Sequence, residues 1–352
     1  MKIFHLMSGA PYGGVERQME RLVLALEQQG FVQRVMLRQN QDRTAHLAAM
    51  GVVAAEMSFP SRFAFLDRRK INNEIRRFAP DIVVSWTPDT AAYVEKGSFI
   101  HLGRVGTAFD VNALAKCDHL FMPSSARADR ALIAQWPKQR VHVLPHVPEI
   151  WSEGADVQVV KRKTYFTPPA AKLIVTAARL EENSGLDVLF TALRRLPEHY
   201  LWVAGDGEGR ARLEEQAHEA GVKPRTRFIG WHDDLASIIA PADVFVYPAR
   251  QEDVGDIVAE AWSTGVPVVA SDSLGPGLLV RHQENGMLVP VGDAVSMAEA
   301  IKWICRDADF AKKLGAAGKL AYAETFAADK VVPQYVDLFK KLAAELPPKM
   351  DI

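Results

Sequence analysis

The stretch Ala249-Arg250-Gln251-Glu252-Asp253-Val254-Gly255-Asp256-Ile257-Val258-Ala259-Glu260-Ala261-Trp262 carries two carboxylates set around a glycine. It follows the apolar run Val244-Phe245-Val246-Tyr247-Pro248 and precedes Gly265-Val266-Pro267-Val268-Val269-Ala270, which reads as strand, loop, helix and strand. In an open parallel sheet, ligands bind where strands end and helices begin. Glu252 would sit in the loop and Glu260 inside the helix, about 6 Å along its axis at about 1.5 Å per residue. Gly255 would let the backbone approach a ligand closely, and the free N–H groups of the helix start would face it. Two carboxylates flanking such a helix start suit a ligand with sugar hydroxyls at both ends and phosphates between. The plainer reading is a solvated Glu on a loop and another on a helix face, and spacing alone leaves both open.

Other strand-to-helix junctions bear ligand-type loops. Ser8-Gly9-Ala10-Pro11-Tyr12-Gly13-Gly14-Val15-Glu16 lies between the first strand and the first helix. Gly13-Gly14 would let a phosphate or sugar rest on the backbone, although the dinucleotide fingerprint spacing is absent; a turn that needs glycine is the alternative. Arg179, in Ala177-Ala178-Arg179-Leu180, stands at a strand's carboxyl end, placed to bind a pyrophosphate in a fork or to make a surface salt bridge. Gly205-Asp206-Gly207-Glu208-Gly209 is another glycine-rich junction, and Gly230-Trp231-His232 would meet a base unless Trp231 packs instead. Ser271-Asp272-Ser273-Leu274-Gly275-Pro276-Gly277 follows the next strand. The recurrence of such loops is a stronger signal than any one of them. In the first half, Asp110 would orient an acceptor hydroxyl or cap the helix that begins at Val111. His5, His101, His119 and His146 show no metal-ligand spacing, and His232-Asp233-Asp234 reads as a helix start, so no metal and no cofactor are expected.

Composition narrows the class. A chain of 352 residues with 48% apolar and 24% charged residues is an ordinary globular protein, long enough for two domains. Its net charge of -1 argues against nucleic acid as the main partner. Residues 1–150 carry 19 Lys and Arg against 14 Asp and Glu, so the first half is basic and suits an anionic partner. Two cysteines, Cys117 and Cys305, make no disulfide framework and point to a reducing cytoplasm. No signal peptide or spanning segment is legible. One surface stands out: Phe63 and Phe65 run into Arg68, Arg69 and Lys70, with Arg76 and Arg77 beyond. Aromatics beside clustered cations suit peripheral contact with an anionic membrane face; a solvated basic helix is the alternative.

These loops must be held by strands and helices that alternate. Strand-like segments fall at residues 3–7, 32–37, 52–57, 82–86, 99–102, 119–122 and 141–144, with helices at 15–29, 44–50 and 66–78. The rhythm breaks between Pro148 and Pro169 and restarts at 173–177, 200–204, 227–229, 244–247, 266–270 and 287–289. Three helices close the chain at 296–304, 310–326 and 330–346. The reading is an α/β chain with two doubly wound Rossmann-like domains whose parallel sheets face a central cleft. The expected divisions are an acceptor-side domain at 1–155, a linker at 156–170, a donor-binding domain at 171–330 and a terminal helix at 331–352.

As a set, these residues resemble the retaining glycosyltransferases of family four, which have the GT-B fold. The similarity is greatest to members that build bacterial surface polysaccharides and lipopolysaccharide core. It spans nearly the whole chain and is most specific from Ala178-Arg179-Leu180 to Glu284-Asn285-Gly286-Met287-Leu288-Val289-Pro290. The family's paired glutamates, with seven residues between them, fall on Glu252 and Glu260. The resemblance implies that Glu252 contacts donor-sugar hydroxyls, Glu260 the ribose and Arg179 the diphosphate. Gly13 and Gly14 would lie near phosphate and sugar, and the region around Trp231 near the base. The last helix would return to the first domain. Three positions depart from the pattern: Ser184 where the family usually has Lys, Asp253-Val254-Gly255 in place of Gly-Phe-Gly, and Leu278 in place of a common Glu. Asp256 adds a negative charge near the phosphates, for which Arg250 or Arg281 would compensate.

The expected function is transfer of a sugar from a nucleotide-diphosphate donor to a glycan or glycolipid acceptor, with retention of configuration and no metal. Arg179 and helix-start amides would stabilise the leaving diphosphate. Glu252, Arg179 and Asp110 are the expected catalytic residues; Gly13, Gly14, Gly207, Trp231, Gly255 and Glu260 would join Glu252 and Arg179 in binding the donor. A degenerate nucleotide-sugar binding protein, and an epimerase or phosphorylase on the same fold, are the alternatives.

Overall fold

The computed structural model describes residues 1–10, 13–59, 64–106, 110–148, 158–252 and 254–347. Phe63, Asp253, residues 107–109 and 149–157, and the last five residues lie outside the described set. The chain divides into two compact units, residues 1–150 with 327–352, and residues 151–326.

In the first unit β1 (Lys2–Met7), α1 (Gly14–Gln28), β2 (Val32–Arg38), α2 (Gln41–Ala49), β3 (Val53–Met57), α3 (Ala64–Phe78) and β4 (Ile82–Ser85) alternate. They are followed by α4 (Pro88–Tyr93), β5 (Ile100–Arg104), α5 (Val111–Leu114), β6 (His119–Met122), α6 (Ser125–Ile133) and β7 (Val141–Val143). The strands pair in parallel in the order β3-β2-β1-β4-β5-β6-β7. Alternation along each strand divides the apolar residues between two layers. Ile3, Met7, Val35, Leu37, Ile82 and Val84 join Met19, Leu22 and Leu26 of α1 on one face. Phe4, Leu6, Met36 and Val83 join Ile71 and Ile75 of α3 on the other.

The second unit repeats the plan. It runs β8 (Lys172–Ala177), α7 (Leu186–Leu193), β9 (His199–Ala204), α8 (Arg210–Glu219), β10 (Thr226–Gly230), α9 (Leu235–Ile239), β11 (Val244–Tyr247) and α10 (Asp256–Ser263). Then come β12 (Val268–Ser271), α11 (Leu274–Leu279), β13 (Met287–Val289), α12 (Ala294–Arg306) and α13 (Ala308–Thr325). This parallel sheet has the order β10-β9-β8-β11-β12-β13. Ile174, Val244, Val246 and Val269 pack with α7 and α12, while Val175, Phe245, Tyr247 and Ala270 pack with α9 and α10. Both sheets are covered on both faces, which is why their strands read as nearly unbroken apolar runs.

The last helix, α14 (Ala328–Ala343), belongs to the first unit. Val331, Tyr335, Leu338, Phe339 and Leu342 complete the layer that holds α1, and the Tyr335 hydroxyl donates to Pro145 O at 2.9 Å. Several elements escape the periodic reading, among them two that are too short to show a period. One is α4, with Pro88 at its start. The other is a 3-10 turn at Arg162–Tyr165. There the Arg162 guanidinium donates to Pro241 O and pairs with Asp243, fastening this segment to the second unit. Among the described residues no helix is long and apolar enough to cross a membrane.

Candidate functional site

The sheet order locates the site in the second unit. β8 and β11 are neighbours, and the chain leaves them for opposite edges of the sheet, so the loops beyond their carboxyl ends border a switch-point crevice. The loop after β8 carries Arg179, which is exposed and makes no ion pair or side-chain hydrogen bond among the described residues. Its backbone is clamped by the loop after β9. Leu180 N donates to Asp206 O at 3.1 Å, and Gly209 N donates back to Leu180 O at 2.9 Å. At Gly207 an added Cβ would lie 2.6 Å from Leu180 O, so this glycine permits the close approach that holds the Arg179 loop.

Glu252 lies in the loop after β11 and is half-buried. Tyr247, the last residue of β11, donates its hydroxyl to Glu252 Oε2 at 2.9 Å, and Val254 N donates to Oε1 at 2.8 Å. Burial first, then the Glu252 and Asp256 carboxylates, push the Tyr247 phenol well above its ordinary pKa, so it stays a proton donor. The Glu252 carbonyl accepts from Gly275 N at 2.7 Å, which joins this loop to the one after β12. Gly255 caps α10 with φ 77°, a left-handed conformation. A Cβ there would lie 2.9 Å from Leu279 Cδ1 and 3.0 Å from Gly275 C. Gly255 and Gly275 thus meet backbone to backbone. The cap, Gly255, has no side chain to bond the helix start; Asp256 is the first helical residue of α10, and half-buried Glu260 lies on its second turn.

Arg250 is committed to a partner. Its guanidinium forks onto Asp187 at 2.7 and 2.5 Å, and its backbone N–H donates to Asn183 O at 3.0 Å. Burial raises the Asp187 carboxyl, but hydrogen bonds and charge from Arg250 outweigh it and hold it below its ordinary value. The sequence had suggested Arg250 as a replacement cation, whereas the fork ties the β11 loop to the start of α7. Arg281 is exposed, and its backbone N–H donates to Asn285 Oδ1. Ser184 is buried, and its hydroxyl has no hydrogen-bond partner among the described residues. Beyond β10, Trp231 Nε1 donates to Asp233 Oδ1 at 2.8 Å, and Asp234 caps α9 by accepting from Ser237 N. His232-Asp233-Asp234, which has a metal-like look in the sequence, therefore leads into a helix start, with Asp234 as the cap.

The first unit has its own switch point between β1 and β4. Ser8 Oγ and Thr87 Oγ1 share a hydrogen bond of 2.8 Å across it. Gly13 precedes α1 as its cap, and among the described residues nothing lies within 4 Å of a Cβ position at Gly14. Buried Glu16 turns back on this loop and accepts from Ala10 N at 2.7 Å. Asp110 Oδ1 accepts from Asn112 N and Ala113 N at 2.9 and 3.1 Å, so the residue caps α5. Gly13, Gly14 and Asp110 thus belong to the first unit; Arg179, Gly207, Trp231, Glu252, Gly255 and Glu260 are gathered on the second. Among the described residues no cluster of His, Cys, Asp and Glu could hold a metal ion. Tyr247 and Glu16 were not assigned roles from sequence. A tyrosine at a strand end five residues before a loop glutamate was the available clue.

The family model for glycosyl transferases group 1 matches residues 159–321, the part of the chain that carries Arg179, Glu252 and Glu260. Over 345 residues the chain is 31% identical to the lipopolysaccharide core biosynthesis glycosyltransferase LpsE of Rhizobium meliloti (strain 1021), spanning 96% of this chain and 98% of that protein. The chain belongs to the glycosyl transferases group 1 family. This glycosyltransferase is also 28% identical over 355 residues to LpsD of the same organism, covering 98% of this chain and 100% of LpsD. Its fold is GT-B. The Anabaena protein HepE, solved with UDP and glucose, superposes with a TM-score of 0.82 at 18% identity over 97% of this chain and 99% of its own. The lipopolysaccharide biosynthesis glycosyltransferase WaaG gives a TM-score of 0.72 at 16% identity, over 96% and 99%.

Proposed function

We propose that this glycosyltransferase moves a sugar from a nucleotide-diphosphate donor to a glycan or glycolipid of the lipopolysaccharide core or surface polysaccharide, with retention of configuration. The observation that carries the donor site is the meeting of the Arg179 and Glu252 loops at the β8/β11 switch point. Arg179 and the helix-start amides stabilise the leaving diphosphate, Glu252 accepts hydrogen bonds from the donor sugar, and Glu260 takes the ribose. Gly13 and Gly14 border phosphate and sugar, Gly207 and Gly255 shape the donor loops, Trp231 lies near the base, and Asp110 orients the acceptor. No metal enters this scheme. The names of LpsE and LpsD support the lipopolysaccharide acceptor, and UDP in HepE supports a nucleotide-sugar donor.

A peripheral membrane contact is part of the same reading. On α3, Ile71 and Ile75 face the core while Phe65 and Leu66 are 67% and 49% exposed beside outward-facing Arg69, Lys70, Arg76 and Arg77. Such a face suits an anionic lipid surface near which a lipid-linked acceptor would lie.

The test is a mass-spectrometric screen for sugar transferred from UDP- and GDP-sugars to lipopolysaccharide core acceptors. Glu252→Ala is expected to cut turnover and Arg179→Ala to weaken donor binding. Undiminished transfer by both variants overturns the donor-site assignment.

A further inference from the structure

We infer that Tyr247 is a positioning residue that sets the direction of the Glu252 carboxylate and, through it, the selectivity of the site among epimeric donor sugars. The inference rests on the proposed role of Glu252 at the donor sugar and adds a residue that does not itself touch the ligand.

Hydrogen bonds hold Glu252 from several directions. Gly275 N holds its carbonyl at 2.7 Å, Val254 N holds Oε1 at 2.8 Å, and the Tyr247 hydroxyl holds Oε2 at 2.9 Å. The last comes from a side chain anchored in the sheet. The Tyr247 ring is 7% exposed and packed among Val175, Phe245 and Ala270, so its hydroxyl cannot swing to solvent. A carboxylate has about four acceptor positions. With a donor on each oxygen, one of them anchored in the sheet, the plane of the carboxylate is set, and with it the lines along which it can accept from another hydroxyl. Epimeric sugars differ in where one hydroxyl points. An acceptor of fixed direction distinguishes them, whereas one that rotates follows either.

The grip also defines what Glu252 does. Tyr247 and Val254 both donate to the Glu252 side chain, which therefore serves here as an acceptor. Burial keeps the Tyr247 phenol protonated, so it remains a donor.

Tyr247→Phe keeps the ring and deletes the hydroxyl; Tyr247→Leu serves if the first variant does not fold. The assay measures nucleotide release and sugar transfer with UDP-glucose, UDP-galactose and GDP-mannose, together with calorimetric affinity for free UDP and GDP. Loss of one hydrogen bond to a charged group sets a scale of about tenfold or more in kcat/KM for the preferred donor. The epimer should lose less, so the preference narrows, while affinity for the free nucleotide changes by less than about twofold on the scale of an untouched contact. A merely structural defect in the β11 loop would weaken nucleotide and sugar together. In the Glu252→Ala background, which leaves no side-chain acceptor for Tyr247 to position, adding Tyr247→Phe should have no further effect. Unchanged donor preference in Tyr247→Phe, or full additivity with Glu252→Ala, overturns the positioning role. Wild-type transfer and preference in Glu252→Ala alone would instead overturn the donor-sugar role of Glu252, and the inference with it.

Discussion

Two glycines with the same backbone angle test whether the donor loops depend on their mutual approach. Gly185 and Gly221 both hold φ 69°. Around Gly221 nothing lies within 4 Å of a Cβ position, so alanine there meets only the left-handed penalty, about 1–2 kcal/mol. At Gly185 an added Cβ would overlap the Pro248 carbonyl oxygen and lie 2.8 Å from the Pro248 carbon. Relief requires the β8 and β11 loops to separate, and overpacking of this kind costs about 1–3 kcal/mol more. Gly185→Ala should therefore lose about 2–5 kcal/mol, two to three times the loss of Gly221→Ala. The functional contrast should be sharper. Arg179 and Glu252 flank this contact, and a misplacement of about 1 Å can cost about 100-fold in rate. Urea unfolding followed by tryptophan fluorescence reads the stability difference; donor turnover and UDP or GDP affinity read the site. Equal losses of stability and activity in the two variants would refute the argument that the loops are set by their close approach.

Three further outcomes are expected. His5 and His101 are buried, and burial lowers both to about 4 despite hydrogen bonds that favour the charged ring. Their folded values lie below the ordinary 6.5, so the stability they contribute is full above 6.5 and is lost as pH falls towards 4, by about 3 kcal/mol each. A His5→Gln, His101→Gln variant should show a flatter dependence of urea midpoint on pH between 6.5 and 4, and parallel slopes would contradict this. Arg250→Ala and Asp187→Asn should weaken nucleotide binding equally if the fork acts as a loop clamp; a far larger loss in Arg250→Ala would show that the guanidinium meets the diphosphate instead. Finally, the protein should sediment with phosphatidylglycerol vesicles at low salt, and an Arg69→Glu, Lys70→Glu variant should remain in the supernatant. Sedimentation indifferent to these charges would remove α3 as the membrane face.

Much of the architecture is local in origin and therefore legible. Strands buried on both faces must be apolar runs, and helices between them must carry an apolar stripe. His119–Met122, Val244–Tyr247 and Met287–Val289 accordingly appear where the residues alone place them. The glycine-rich junctions and the Glu252–Glu260 pair are legible for the same reason, since strand ends followed by helix starts are visible in one dimension. Short elements such as α4 were not, because six residues cannot display a helical period.

Residue types and their periodicity give, then, which segments are strands, which residues stand at their ends, and which ends carry loops of the type that suits a ligand. Tertiary structure decided which ends meet and how each polar group is occupied. The pairing of β8 with β11 brings the Arg179 and Glu252 loops together, although 73 positions separate the two residues. The fork between Arg250 and Asp187, 63 positions apart, turns a cation that looked available into a clamp. Tyr335 reaches Pro145 across 190 positions and fastens α14 to the first unit. The physical reason is common to all three. Hydrophobic periodicity specifies a face to be buried but not the surface that buries it, and a charged or hydroxyl group takes the partner that packing leaves within about 3 Å. At Glu252 the residue type was enough to suggest a hydrogen-bond acceptor, but the direction in which it accepts depends on Tyr247, held in place by the sheet.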